Sequence, residues 1–206
     1  MKKLFLCLSV SMLLINSVKS QSFKFKTITA DVGTGFGIYG IKAYSPINHE
    51  EHDGIGIVGT LPTINAEFGL ARFFGIGAHY RRGTYGKNSS GKIRGNDICL
   101  MANFHLANKG ERFDLPIGVG YGFSNMKAQL SATEHLYAKG GMIRVQVAPH
   151  FYFSKYVGMF VALAYNKHLY NKLDVLDGSG RTYTEADGAT WKMGGIEFNF
   201  GIAGKF

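Results

Sequence analysis

The last eleven residues alternate without a break: Ile196, Phe198, Phe200, Ile202, Gly204 and Phe206 take every second position, with Glu197, Asn199, Gly201, Ala203 and Lys205 between them. A two-residue period belongs to an extended strand with one apolar and one polar face; a helix repeats every 3.6 residues and would scramble it. The same alternation recurs upstream at about 28–40, 60–71, 74–82, 96–106, 113–123, 142–153 and 157–165. In the first segment Ala30, Val32, Thr34, Phe36 and Ile38 oppose Asp31, Gly33, Gly35 and Gly37. In the sixth, Ile143, Val145, Val147, Phe151 and Phe153 oppose Arg144, Gln146, Ala148, His150 and Tyr152.

The connections are long and polar at 43–53, 83–94, 125–140 and 171–189, and short at 72–73, 107–112 and 154–156. Eight amphipathic strands joined by alternating long and short links predict an all-β fold, an eight-stranded antiparallel up-and-down transmembrane β-barrel. Both chain ends and the short turns then share one side of the membrane, and four long loops lie on the other. Alternation alone does not say which face is outside, because a soluble ligand-carrying barrel turns its apolar face inward. Glycine and alanine dominate the polar face here, which suits the cramped interior of a narrow barrel. Aromatic residues also gather near the strand ends. Tyr39, Tyr80, Tyr121, Tyr165 and Trp191 are expected to form an outer girdle, and Phe74, Phe113, Phe153, Tyr156 and Phe206 an inner one.

Lys2 and Lys3, the apolar stretch 4–15 and the small residues Val18 and Ser20 read as a signal peptide over 1–20, cleaved after Ser20. The barrel domain is expected to occupy 21–206 with no second domain. Cys7 lies inside the apolar part of the signal, too early for a lipid-acceptor cysteine. Cleavage removes it together with Lys2, Lys3 and Lys19, so the formal net charge falls from +9 to +6 and Cys99 is left without a disulfide partner. The residual positive charge favours contact with anionic headgroups or is simply solvated.

Signal peptide, eight strands, short inner turns, long outer loops and a terminal Phe206 together resemble the small bacterial outer-membrane β-barrel family that includes OmpA- and OmpX-like barrels. Gly204 departs from the hydrophobic residue common near such ends. The glutamine at position 21 resembles the new N-terminus of secreted Bacteroidota proteins. The resemblance implies an outer-membrane location, contact with membrane lipid and lipopolysaccharide, and insertion by the barrel-assembly machinery. The last strand, through Phe198, Phe200 and Phe206, would be its assembly signal.

The polar face carries Asp31, Glu67, His79, Arg81, Asp97, His105, Arg144, His150, Glu197 and Lys205. An eight-stranded barrel is just wide enough to be filled by side chains, so these groups are expected to pair inside it. Centring the second long loop near Ser89 puts Arg81 across from Asp97 and His79 across from Cys99, predicting an Arg81–Asp97 ion pair. The alternative use of the same charges is a narrow gated channel for ions or small solutes.

Other motifs carry less. Gly33-Thr34-Gly35-Phe36-Gly37 lacks the following helix that a phosphate-binding loop needs, and Gly118, Gly120 and Gly122 repeat its spacing, so both sets are read as lumen-facing. His49-Glu50-Glu51-His52-Asp53 lacks the helical two-histidine spacing of zinc proteases and is read as a solvated loop. The stretch 174–185, with Asp177-Gly178-Ser179-Gly180, does not match the ligand order of a calcium loop. Enzymatic barrels need a serine activated by a histidine near the bilayer surface. His168 is placed near a rim with no evident serine partner. The expectation is a non-enzymatic barrel, without cofactor, metal or nucleic acid, that supports the envelope or binds an extracellular partner through its loops; a lipid-modifying enzyme is the third alternative.

Overall fold

An amphipathic strand leaves a row of N–H and C=O groups bare on each edge, and eight in one sheet satisfy all of them only by wrapping the sheet onto itself. The computed structural model describes residues 23–45, 50–88, 91–106, 112–129, 133–176, 182–184 and 190–206. The expected signal peptide and its cleavage site, His49 and residues 177–180 lie outside these. Eight strands form the wall: β1 (Ile28–Ser45), β2 (Glu50–Thr60 continued by Thr63–Gly69), β3 (Phe74–Asn88), β4 (Gly91–His105), β5 (Phe113–Asp114 continued by Pro116–Gln129), β6 (His135–Val147 continued by His150–Tyr152), β7 (Val157–Leu176) and β8 (Thr190–Lys205). A short piece, Thr182–Thr184, pairs with the far end of β7.

Each strand pairs antiparallel with the next. The ring closes where β8 meets β1 in an unshifted register from Thr29↔Lys205 to Tyr44↔Thr190. At the seam Ile28 and Phe206 exchange backbone hydrogen bonds of 3.0 and 2.8 Å. The gaps in β2, β5 and β6 each fall beside a proline (Pro62, Pro116, Pro149), which has no N–H to give the ladder. Their carbonyls still accept, from Arg82, Ala148 and Val161.

The apolar face points outward. Val32, Ile38, Leu100, Phe123, Leu163 and Ile202 are all more than half exposed, whereas Arg81, Arg144 and Glu197 are buried to within 1%. Such a band on a closed barrel is a lipid-facing surface.

Two expectations are corrected. First, the strands continue well beyond the expected segments on the long-loop side. β1 runs to Ser45, β3 to Asn88, β5 to Gln129 and β7 to Leu176, while β2, β4, β6 and β8 begin at Glu50, Gly91, His135 and Thr190. Glu50 to Asp53 therefore belong to a strand and not to a loop. The cause is an inversion of polarity, at constant parity except on β7, where a bulge between Tyr170 and Lys172 shifts the inward position to Leu173. In these extensions Met126, Ala128, Leu136, Ala138, Leu173 and Met193 face inward, and Asn125, Lys127, Lys139 and Lys192 face outward. The outward alternation that marks lipid-facing wall ends there, so the sequence reads as loop.

Second, Tyr39 and Trp191 do not belong to the outer girdle. Tyr39 is fully buried, on the side shared by Asp31 and Gly37, and half-buried Trp191 packs against the inward apolar cluster. The ring of Tyr39 lies against Gly37, where a Cβ would come within 2.7 Å of it. Tyr80, Tyr121 and Tyr165 do face outward.

The exposed band sets a test. Val119→Arg should lower the unfolding free energy by about 2–4 kcal/mol in lipid vesicles, read from denaturant titration, because it places a cation in the hydrocarbon layer. A change under about 0.5 kcal/mol, typical of a water-exposed position, would contradict a lipid-facing wall.

Candidate functional site in the barrel lumen

Because inward side chains alternate along every strand, residues remote in sequence meet on the barrel axis. Arg81 on β3 lies directly across from Asp97 on β4, and the two form a buried ion pair. The same guanidinium pairs with Glu197 on β8. Arg144 on β6 reaches the other carboxylate oxygen of Glu197 at 2.7 Å. Two guanidinium groups and two carboxylates thus close a charge-neutral chain, Asp97–Arg81–Glu197–Arg144, with each ion matched by an opposite one as burial requires.

Further polar groups complete this hub. The Tyr39 hydroxyl donates to Glu197, and Arg81 donates to the hydroxyls of Tyr39 and, at 3.2 Å, Tyr85. Arg144 donates from Nε to Gln146 at 2.9 Å and from Nη1 to Asn166 at 3.0 Å. His168 Nε2 lies 3.0 Å from Arg81 Nη2 and 3.2 Å from Asp97 Oδ2. His79 contacts Asn65.

A second cluster fills the short-turn end. His105 uses both ring nitrogens, at 2.8 Å from Asp114 and 2.9 Å from Glu67, and His150 Nε2 lies 3.2 Å from Asp31. Lys205 Nζ sits 4.1 Å from the centroid of the Tyr152 ring, a cation–π distance. Phe23, from the segment preceding β1, is fully buried and stacks on His105 with centroids 3.5 Å apart. Gly75 makes this possible: a Cβ there would stand 2.9 Å from the Phe23 ring. A cavity of about 20 Å³ remains, bordered by Asp31, Asn65, Glu67, Asn103, Gln146 and His150. It has room for about one water, and Asp31 Oδ1 and Asn103 Oδ1 beside it have no hydrogen-bond partner among the described residues.

At the opposite end Leu61, Tyr85, Met126, Leu136, Leu173 and Met193 form an apolar cluster across the lumen. The charged hub therefore lies between an apolar stopper and the Phe23–His105 stack.

All the predicted lumen residues face inward, in two groups. Arg81, Asp97, Arg144 and Glu197 form the hub, with His79 beside it; Asp31, Glu67 and Lys205 belong to the short-turn cluster. His168 is not at a rim but in the hub. Its position follows from carrying the Gly158, Phe160, Ala162, Ala164 parity of β7 onward to 166, 168 and 170. Phe23 has no such signal, because it precedes the first strand. Ser124, the inward serine nearest the hub, has its hydroxyl 2.8 Å from that of Tyr170. Phe198 and Phe200 face outward on β8, and Phe206 is exposed at its end.

No protein-family model matches the chain, and no curated protein matches it. Its fold is that of solved outer-membrane β-barrels. It superposes on the outer membrane protein OprG of Pseudomonas aeruginosa with a TM-score of 0.60 at 12% identity, covering 91% of this chain and 99% of that one. Against Neisserial surface protein A the TM-score is 0.54 at 12% identity, with 87% and 97% covered. The outer membrane protease OmpT of Escherichia coli gives 0.51 at 12% identity, with 92% and 100% covered.

The hub predicts non-additive energetics. Arg81→Met strands the buried Asp97 carboxylate, whereas Glu197 keeps Arg144, and should cost about 3–5 kcal/mol of unfolding free energy in vesicles. Adding Asp97→Asn removes the stranded charge, leaves the neutral Glu197–Arg144 pair in place and should restore more than half of the loss. Equal or additive losses in the double variant would show that Arg81 is not the counter-ion that neutralises Asp97.

Proposed function

We propose that this chain is an integral protein of the bacterial outer membrane whose barrel is a closed, non-enzymatic scaffold. Its work, envelope support or recognition of an extracellular partner, is done at the long-loop end. The observation that carries this reading is the lumen filled along its length, from the Phe23–His105 stack through the charged hub to the apolar cluster. A barrel so filled offers its surroundings a rigid wall and whatever projects from it, and segments on rigid scaffolds commonly carry binding. Outer-membrane residence is supported by the lipid-facing band and by the fold shared with OprG and Neisserial surface protein A. The strand ending in Phe206 is the element proposed to be read by the assembly machinery.

A neighbour in fold is a protease, so enzymatic use of such a barrel has to be weighed. The histidines of this lumen argue against it here. His79, His105, His150 and His168 are each no more than 5% exposed and lie against other buried side chains. A hydrolase needs its base open to substrate.

Planar-bilayer recording separates the scaffold from a channel. The wild-type protein should give no steady conductance. Phe23→Ala alone should leave it silent, because the hub and the apolar cluster still block the path. Steady wild-type openings that change with neutralisation of Arg81 or Arg144 would overturn the scaffold reading in favour of a narrow channel.

A further inference from the structure

Outside the barrel, the outward-facing residues change in the same order on five strands as they leave the lipid-facing band. The sequence is apolar, then glycine or asparagine, then a cation: Ile38-Gly40-Lys42 on β1, Ile98-Asn96-Arg94 on β4, Phe123-Asn125-Lys127 on β5, Ile143-Gly141-Lys139 on β6 and Ile196-Gly194-Lys192 on β8. Arg82 and Lys167 follow Tyr80 and Tyr165 by two residues. These cations stand roughly 7–13 Å of strand beyond the last aromatic or aliphatic side chain, at the depth of lipid headgroups.

The register brings like charges together. Lys42 lies directly across from Lys192, Lys139 from Lys172 and Arg94 from Lys127. Like charges directly opposite on a sheet are destabilising. Among the described residues the only acid directly across from any of these cations is Asp53, opposite Lys42 on its other side. The short-turn rim also carries exposed cations, Lys24, Lys26, Arg72, Arg112 and Lys155, but none is directly across from another in the described ladders. Opposed pairing thus belongs to the long-loop side.

Two concave grooves coincide with these pairs and are built alike. One, of about 620 Å³, has Lys139 and Lys172 on its water side and Tyr121 and Phe123 on its bilayer side, with Asn96 and Asn125 hydrogen-bonded at 3.3 Å beside them. The other, of about 500 Å³, has Lys42, Lys167 and Lys192 above Tyr165. In each, a tyrosine hydroxyl leans across the glycine that opens the groove, 3.3 Å from a Cβ built on Gly141 and 3.2 Å from one on Gly194. Such a groove, aromatic below and multiply cationic above, complements an amphiphile whose anionic head joins its chains at that depth.

We propose that these two grooves bind the phosphate groups of anionic lipids in the leaflet on the long-loop side, each lysine pair straddling one phosphate. The inference rests on the membrane-barrel reading and adds a ligand to it. Bound phosphate turns the opposed lysines from a cost into a bidentate charge-assisted contact.

The test compares wild type with a Lys139→Gln, Lys192→Gln double variant, which leaves one lysine of each pair. Each is placed in nanodiscs of phosphatidylcholine alone, with bisphosphorylated lipid A, or with dephosphorylated lipid A. Thermal midpoints are read from the gel shift between folded and heat-unfolded forms. In pure phosphatidylcholine the variant should be at least as stable as wild type, because repulsion is relieved. Bisphosphorylated lipid A should raise the wild-type midpoint by roughly 3–6 °C and the variant by less than half of that, with no rise from the dephosphorylated lipid. An equal rise in both proteins, or an equal rise from dephosphorylated lipid, overturns the proposal. So does a rise that inorganic phosphate reproduces in phosphatidylcholine, since the source would then be solution and not lipid. If wild type fails to enter any nanodisc as a heat-shifting species, the membrane reading itself fails, a result distinct from the others.

Discussion

The in-register closure of β8 on β1 is the constraint from which the rest of this structure follows. A sheet in lipid cannot keep an open edge, because unpaired N–H and C=O groups there have no water to bond. Since side chains alternate strictly, the register at that seam also decides which residues enter the lumen. A slip of one position would send Glu197 to the lipid and Phe198 to the axis. Glu197, once fixed inward, is the meeting point of Tyr39 from β1, Arg81 from β3 and Arg144 from β6. The hub is therefore a product of closure and not of any local motif.

The interior then has to accommodate four fully buried charges in a narrow space. Their neutrality matters more than their number, because a lone buried ion costs several kcal/mol while a matched set with further hydrogen bonds roughly breaks even. Tyrosine, amide and histidine groups from β1, β3, β6, β7 and β8 supply those bonds. The glycines on the inward face allow it, as at Gly37, where the Tyr39 ring occupies the space that a side chain would need.

Much of this was legible in the sequence, and the illegible parts have common causes. Where lipid lies outside, alternation of apolar with small or polar residues is unmistakable, and the segments from Ile28 onward were placed by it. Hairpin arithmetic around Ser89 gave the Arg81↔Asp97 register, since pairing across a symmetric turn conserves the sum of residue numbers. The residue type of Tyr39 suggests a girdle position, whereas its alternation with Ile38 points it inward. His168 reads as a rim residue because the outward apolar alternation of β7 fades after Tyr165, eleven residues before the strand ends at Leu176. Phe23 had no periodic signal, for its burial depends on Gly75 and His105, partners distant in sequence.

The strand extensions obey a different solvent from the rest of the same strands. Below the outer aromatic girdle the wall is surrounded by lipid, which offers no reward for turning apolar groups inward, so the lumen can be polar and the exterior apolar. Above it the wall is surrounded by water, and a small barrel there must gain its stability as a soluble one does, by burying Leu61, Leu136, Leu173 and Met193. One continuous sheet therefore changes polarity on both faces, and the two changes fall close together. On β5, Phe123 and Asn125 face outward around Ser124, the last inward polar residue before Met126. On β8, Ile196 faces outward beside inward Glu197, and Lys192 beside inward Met193. That coincidence marks the bilayer's boundary on the long-loop side from within the protein. It also explains the position of the hub, since Arg81 and Glu197 sit just beneath the level where the lumen must become apolar.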